Sequence, residues 1–214
     1  MNDRILKAFA VVLVCIGTFS TCCKSPVKTA QATEIIDVTL DPGQYMMDID
    51  TSVTVGVKNG EFTITLVAEY VLSGVVVCKQ RYRGGWAAEI SPVDLTVCWG
   101  KITEDYVRKH ISFSHRGRWY YYRYSGECPV SNKYIIEHTS NNHIVPATEN
   151  IRLAVNTIKK NTPVLLHGYL VDIIGKYKSD PYWWYTSRVR TDTGAHSCEV
   201  YYVTSVQIGK DIYQ

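Results

Sequence analysis

Thr51–Leu72 reads "TSVTVGVKNGEFTITLVAEYVL". Val53, Val55 and Val57 alternate with small or polar residues, and Phe62, Ile64 and Leu66 resume the alternation after Asn59-Gly60. Successive side chains of a strand point to opposite faces, so this period of two marks two half-buried strands. Asn-Gly between two such runs is a strong hairpin signal. The stretch predicts a β-hairpin turning at Asn59-Gly60, and with it a mainly β chain.

Working outward, "GVVVCKQRY" (74–82) and "VDLTVCWG" (93–100) read as apolar strands, and "EIIDVTL" (34–40) alternates like one. "HISFSHRGRWYYYRY" (110–124) reads as a hairpin around Arg116-Gly117, and "KYIIEH" (133–138) as a strand entering the loop "HTSNNHIVPATENI" (138–151). "TEDYVRKH" (103–110) has room for one or two helical turns. One helix is clear, "TENIRLAVNTIKK" (148–160), because Ile151, Ala154, Val155 and Ile158 recur at i, i+3, i+4 and i+7. Asn161 and Pro163 stop it. "PVLLHGYLVDII" (163–174) is a long apolar strand whose Gly168 suggests a bulge or bend. "YWWYTSRVR", a "TDTG" turn and "CEVYYVTSV" complete a final hairpin. About ten strands and one good helix predict a mainly β (α+β) fold, a curled antiparallel sheet or partly closed barrel with its main helix near 148–160.

The first 32 residues read differently. "AFAVVLVCIGTF" (8–19) follows Arg4 and Lys7, has the length of a signal-peptide core, and is too short to span a bilayer. Cleavage before Cys22 or Cys23 predicts a lipidated cysteine and membrane attachment. "AQA" (30–32) offers an alternative site, and an uncleaved anchor is a third reading. All three predict export, to the periplasm or the outer membrane of a bacterium. Residues 33–214 then form a single β-rich domain, with 33–73 a possible N-terminal subdomain. Removing the four basic residues and one acidic residue of 1–32 from totals of 23 and 20 leaves 19 of each. A nucleic-acid binder carries a basic footprint, and this body has none overall.

Four cysteines remain in the body, Cys78, Cys98, Cys128 and Cys198. In an exported protein an even count predicts at least one disulfide, with three pairings possible for four cysteines. No CxxC and no zinc-like Cys/His spacing occurs, so no metal site is expected. No pattern implies a cofactor.

Five ordered stretches resemble a family of exported bacterial envelope proteins to which no activity is assigned. They are "SPVDLTVCWGKI" (91–102), "RWYYYR" (118–123), "HTSNNHIVPATENI" (138–151), "VLLHGYLVDI" (164–173) and "WYTSRVRTDTGAHSCEVYYV" (184–203). The chain departs from that pattern at Cys98 and His196, where the resemblance leads one to expect glycine.

Two constellations are candidates for function. Trp119, Tyr121 and Arg123 share one side of a predicted strand, and Trp183, Trp184 and Arg188 gather near a second. Tryptophan, tyrosine and arginine dominate binding hot spots, so these residues form a candidate surface for a protein, peptide or glycan of the envelope. The second constellation is polar. A hydrolase needs a nucleophile or metal, a base, and a group that orients the base. His143 is a candidate base, with Asp94 or Cys198 as partner, although no G-x-S-x-G or H-E-x-x-H accompanies them. Glu199 is expected on a solvent face or paired with Arg188 or Arg190, His110 and His115 toward water, and His167 inside the sheet. The leading expectation is an exported binding or structural module. The alternative is a hydrolase of an envelope polymer or peptide centred on His143.

Overall fold

A computed structural model describes residues 24–47, 51–192, 194 and 197–214. The proposed leader core, Cys22, Cys23 and His196 lie outside the described residues. Strands β1 (Ala30–Gln31), β2 (Gly43–Met46), β3 (Ser52–Val57) and β4 (Gly60–Arg81) come first. Helix α1 (Trp86–Ile90), β5 (Val93–Cys98) and α2 (Asp105–Arg108) follow, then the hairpin β6 (Ile111–Arg116) and β7 (Trp119–Tyr124). Helix α3 (Asn132–Glu137), β8 (Thr139–Pro146), α4 (Glu149–Thr157), β9 (Pro163–Tyr177), β10 (Asp180–Trp184), β11 (Glu199–Ile208) and β12 (Asp211–Tyr213) complete the chain. The fold is mainly β with few helices, as expected.

The sheet runs β1-β12-β11-β8-β5-β4-β9-β10, with β2 and β3 added to β4. Strand β11 also pairs with β9, which curls the sheet back on itself. It is mixed rather than purely antiparallel, because β8 and β11 run parallel. The hairpin β6–β7 forms its own two-stranded sheet. Strands β2 and β3 join the same sheet as the rest through β4, so residues 43–46 and 52–57 share one hydrogen-bonded framework with the body.

The opening hairpin forms one residue earlier than expected. Its turn residues are Lys58 and Asn59, and Val57 pairs with Gly60. Gly60 begins β4 because that strand crosses β9 closely, and a Cβ there would lie 2.1 Å from the Lys176 carbonyl oxygen. Strand β4 then runs unbroken to Arg81, taking in the segment read as a separate strand at 74–82. Its register slips at Val67, between Leu66 and Ala68. A one-residue bulge transfers the following side chains to the opposite face. Phe62 and Ile64 therefore pack with Val171, Ile173 and Val200 on one side, while Ala68, Tyr70 and Leu72 join Leu166 and Leu170 on the other. One continuous alternation in sequence thus feeds two cores.

Helix α4 plugs the inner core with Ile151, Ala154, Val155 and Ile158, the four residues its periodicity selects. Thr148 caps its start, Oγ1 accepting from the Ile151 amide at 3.2 Å. Its other end leaves carbonyls without helical partners. A second slip in β4, between Val76 and Cys78, turns Lys79 inward. The Lys79 ammonium donates to the carbonyls of Val155, Asn156 and Ile158 at 3.0, 2.9 and 2.6 Å.

Other expectations are corrected. Residues 34–40 form no strand. "KYIIEH" is helix α3, because Ser131 caps it by accepting from the Tyr134 amide. β10 pairs with β9 rather than with β11, so the expected final hairpin does not form. Cys78, Cys98, Cys128 and Cys198 are all free thiols. Cys98 faces Val75 and Cys78 faces Thr96, so neither meets a cysteine in register. Burial pushes the Cys98 thiol up to about 12. His167 is exposed rather than enclosed by the sheet.

Candidate functional site

"HTSNNHIVP" is the heart of the sheet rather than a loop. Strand β8 lies between β5, antiparallel, and β11, parallel, with every residue from Thr139 to Val145 buried. A buried strand tolerates this many polar residues only if they find partners. Asn142 turns to the inner face and donates to the Leu95 carbonyl at 3.2 Å and to Ser140 Oγ at 2.9 Å. Asn141 and His143 turn to the outer face, level with Thr96 and Asp94 of β5.

That outer face is covered by the β6–β7 hairpin and by β10. Gly117 and Arg118 form the two-residue turn of the hairpin, and both have positive φ, 58° and 72°. A turn with both central residues left-handed matches strand twist, but the second position normally goes to glycine. Arginine there holds a sparsely populated backbone conformation, the kind of strain that marks sites. The side chain explains it. Arg118 Nη1 meets Asp94 Oδ1 at 2.9 Å, and Nη2 donates to the Ser91 carbonyl at 2.9 Å. Its guanidinium lies 3.8 Å from the centre of the Tyr82 ring and 5.2 Å from that of Trp184.

Asp94 is fully buried, and the same Oδ1 is 2.9 Å from His143 Nδ1. The approach lacks hydrogen-bond alignment, so this is a close polar contact rather than a directed bond. The His143 ring also packs against Trp184, centroids 4.6 Å apart. Beside it, His115 Nε2 lies 2.8 Å from Asn141 Oδ1 and 3.0 Å from Thr96 Oγ1. Burial lowers the pKa of His115, which corrects its expected place in water.

Above this floor opens a cavity of about 410 Å³, walled by Trp86, Trp119, Trp183 and Trp184, with Arg118 and His143 at its base and Cys198 on one side. The two constellations read separately in the sequence therefore meet in one place. Trp119 comes from β7, the paired tryptophans from β10, and His143 from β8. Trp183 is 63% exposed and Trp119 43%, so two wide apolar faces are open to a ligand. Tyr121 and Arg123 are exposed on β7 but do not line this cavity. Arg188 is ion-paired with Asp172 at 2.7 Å and lies outside it.

Cys198 lines the cavity, yet its sulfur accepts from Asn141 Nδ2 at 3.6 Å, and burial pushes the thiol up to about 12. A thiol held protonated is a poor nucleophile. Glu199 is buried, not solvent-facing, and burial pushes its carboxyl up to about 8. Arg118, Tyr82 and Trp86 are not singled out by the sequence. The one sequence signal for Arg118 is an arginine directly after the glycine of a predicted hairpin turn.

Among the described residues no group of three or more His, Cys, Asp or Glu side chains is placed to hold a metal ion. No described helix is long and apolar enough to cross a membrane. No protein-family model, curated protein or solved structure matches this chain.

Proposed function

We propose that this protein is an exported binding module of the bacterial envelope, and that its ligand is a glycan seated in the tryptophan-walled cavity. The convergence of Trp119, Trp183 and Trp184 from two separate hairpins on one open cavity carries this reading. Large indole faces left exposed beside a polar floor suit a flat ring with hydroxyl edges. The body's balanced charge favours a ligand held by stacking and hydrogen bonds over one held by net charge.

The test is a titration of intrinsic tryptophan fluorescence with soluble oligosaccharides released from envelope glycan, beside envelope peptides as a control. Glycan should change the emission saturably, and Trp183→Ala should weaken binding by about tenfold, or ~1.4 kcal/mol. Binding of peptide alone, or unchanged glycan affinity in Trp183→Ala, would overturn it.

The Asp94–His143 contact supports a second reading, hydrolysis of the same polymer with His143 as base beside the Asp94 carboxylate. Water would be the nucleophile, since Cys198 is held protonated. New reducing ends released from glycan by wild type and not by His143→Ala would favour this reading over binding alone.

A further inference from the structure

A second cavity, of about 270 Å³, adjoins the first and shares Trp119, Gly194 and Cys198 with it. It is smaller than the roughly 300–1,000 Å³ of sites for drug-sized ligands. Tyr120 and Tyr122 wall it, and Arg190, Asp192 and Glu199 supply its charge. Two shielded polar atoms of these residues have no hydrogen-bond partner among the described residues, Glu199 Oε2 and Arg190 Nη1.

Such atoms are rare, because each costs the full loss of its water without repayment. Neither satisfies the other. Glu199 is only 3% exposed and is fixed on β11 opposite Asn142 of β8. The Arg190 guanidinium is fixed from two directions. It donates through Nη2 to the Glu137 carbonyl and lies 4.5 Å from the centre of the Trp99 ring. Asp192, held through Oδ2 by the Ser187 hydroxyl at 2.7 Å, adds a second carboxylate to the wall. The cavity is thus lined by a carboxyl with an unused oxygen, a guanidinium with an unused nitrogen, a second carboxylate and two tyrosines, the two unused atoms lying just beneath its surface.

A ligand with an ammonium group and a carboxylate on a short frame answers both. Its ammonium would meet Asp192 and, by its charge, favour the ionised form of Glu199, with tyrosine faces alongside, and its carboxylate would accept from Arg190. We propose that this cavity binds a small amino carboxylate, a free amino acid or a compound of that class. This goes beyond the glycan reading. Its charged groups, Arg190, Asp192 and Glu199, do not line the first cavity.

Calorimetry and thermal unfolding of the purified protein with each common amino acid would test it, with acetate and methylamine as half-ligands. At least one amino acid should bind and raise the melting temperature, while neither half-ligand should. Glu199→Gln, close to isosteric, and Arg190→Met should each weaken binding about tenfold or more. Trp183→Ala should leave it unchanged, which separates this site from the glycan cleft. Arg190→Lys, which keeps the charge, checks that a loss in Arg190→Met is not a folding defect: melting near wild type with partial binding is expected. Binding by no amino acid, equal binding of acetate, or full affinity in Arg190→Met would overturn the proposal.

Discussion

Asp94 and His143 face each other across antiparallel strands β5 and β8, Oδ1 to Nδ1 at 2.9 Å, and Arg118 reaches the same oxygen from a hairpin turn. The carboxylate is fully buried, so its charge is answered inside the protein rather than by water. Removing one member of such a set leaves an uncompensated charge. Asp94→Asn should cost about 3–5 kcal/mol in chemical denaturation. Arg118→Met added to Asp94→Asn should cost much less than Arg118→Met alone. Additive losses would show that the two residues are not coupled.

Lys79 closes the end of α4 from a different strand. Lys79→Met keeps the stem and removes the donors, so the helix loses its cap. The expected loss is about 2 kcal/mol, in the range of hydrogen bonds to charged groups. Amide exchange should quicken in the last turn of α4. Unchanged exchange there would show that the carbonyls are served by water instead.

Burial holds the Glu199 carboxyl up at about 8, against an ordinary 4.5. Between these values the folded protein binds a proton that the unfolded chain has released. Stability therefore falls as pH rises from about 4.5 to about 8, then levels. A carboxyl held so far above its ordinary range makes that loss on the order of a few kcal/mol. Glu199→Gln should flatten this slope, gaining stability near pH 8 and little near pH 4.5. Melting temperatures across that range decide it, and an unchanged slope would count against the assignment.

Burial likewise holds the Cys198 thiol at about 12, against an ordinary 9.0. At a given neutral pH its thiolate fraction is lower by roughly a thousandfold, and alkylation follows the thiolate. Iodoacetamide should label Cys198 slowly in the native protein and quickly once it is unfolded. Fast native labelling would restore Cys198 as a candidate nucleophile.

Residues 27–32 are built into the body. The Thr29 amide donates to the Ile212 carbonyl and that of Ala32 to Lys210, both at 2.8 Å, and Lys28 pairs with Asp211. Asn150 holds Val27 from both sides of its peptide group. A chain beginning at Thr33 should be less stable than one beginning at Lys24, by about 1–3 kcal/mol after the entropy of ordering is offset. Equal melting of the two proteins would show that the strand adds nothing.

Much of the architecture was legible because period-two and helical patterns are local. Thr51–Leu72, 93–100, 110–124 and 163–174 all hold strands, and the four apolar residues of α4 are those that enter the core. What failed depended on neighbours. "TSNNHIVP" carries turn-forming residues, and only the backbones of β5 and β11 on either side make it a strand. "KYIIEH" is too short for its period to separate helix from strand. At the site, Trp119, Trp183, Trp184, His143 and Cys198 were each picked by residue type. Their convergence was not visible, because it depends on β10 folding back along β9 rather than onto β11. Arg118 was missed because a turn position is expected to be chosen for its backbone, and here the side chain decides.

The pairing of β1 with β12 joins residues far apart in the chain, since Thr29 and Ile212 are 183 positions apart. The inner core does the same, as Tyr201 reaches the Tyr70 carbonyl across 131 positions. Contacts of this span give the slow folding typical of high contact order. Until β9 arrives, β4 presents the edge from Gly60 to Val75 with its partner missing, a template for association between copies of the chain. Destabilising changes in β9 should therefore appear first as aggregation during refolding, before any loss is seen in the folded protein.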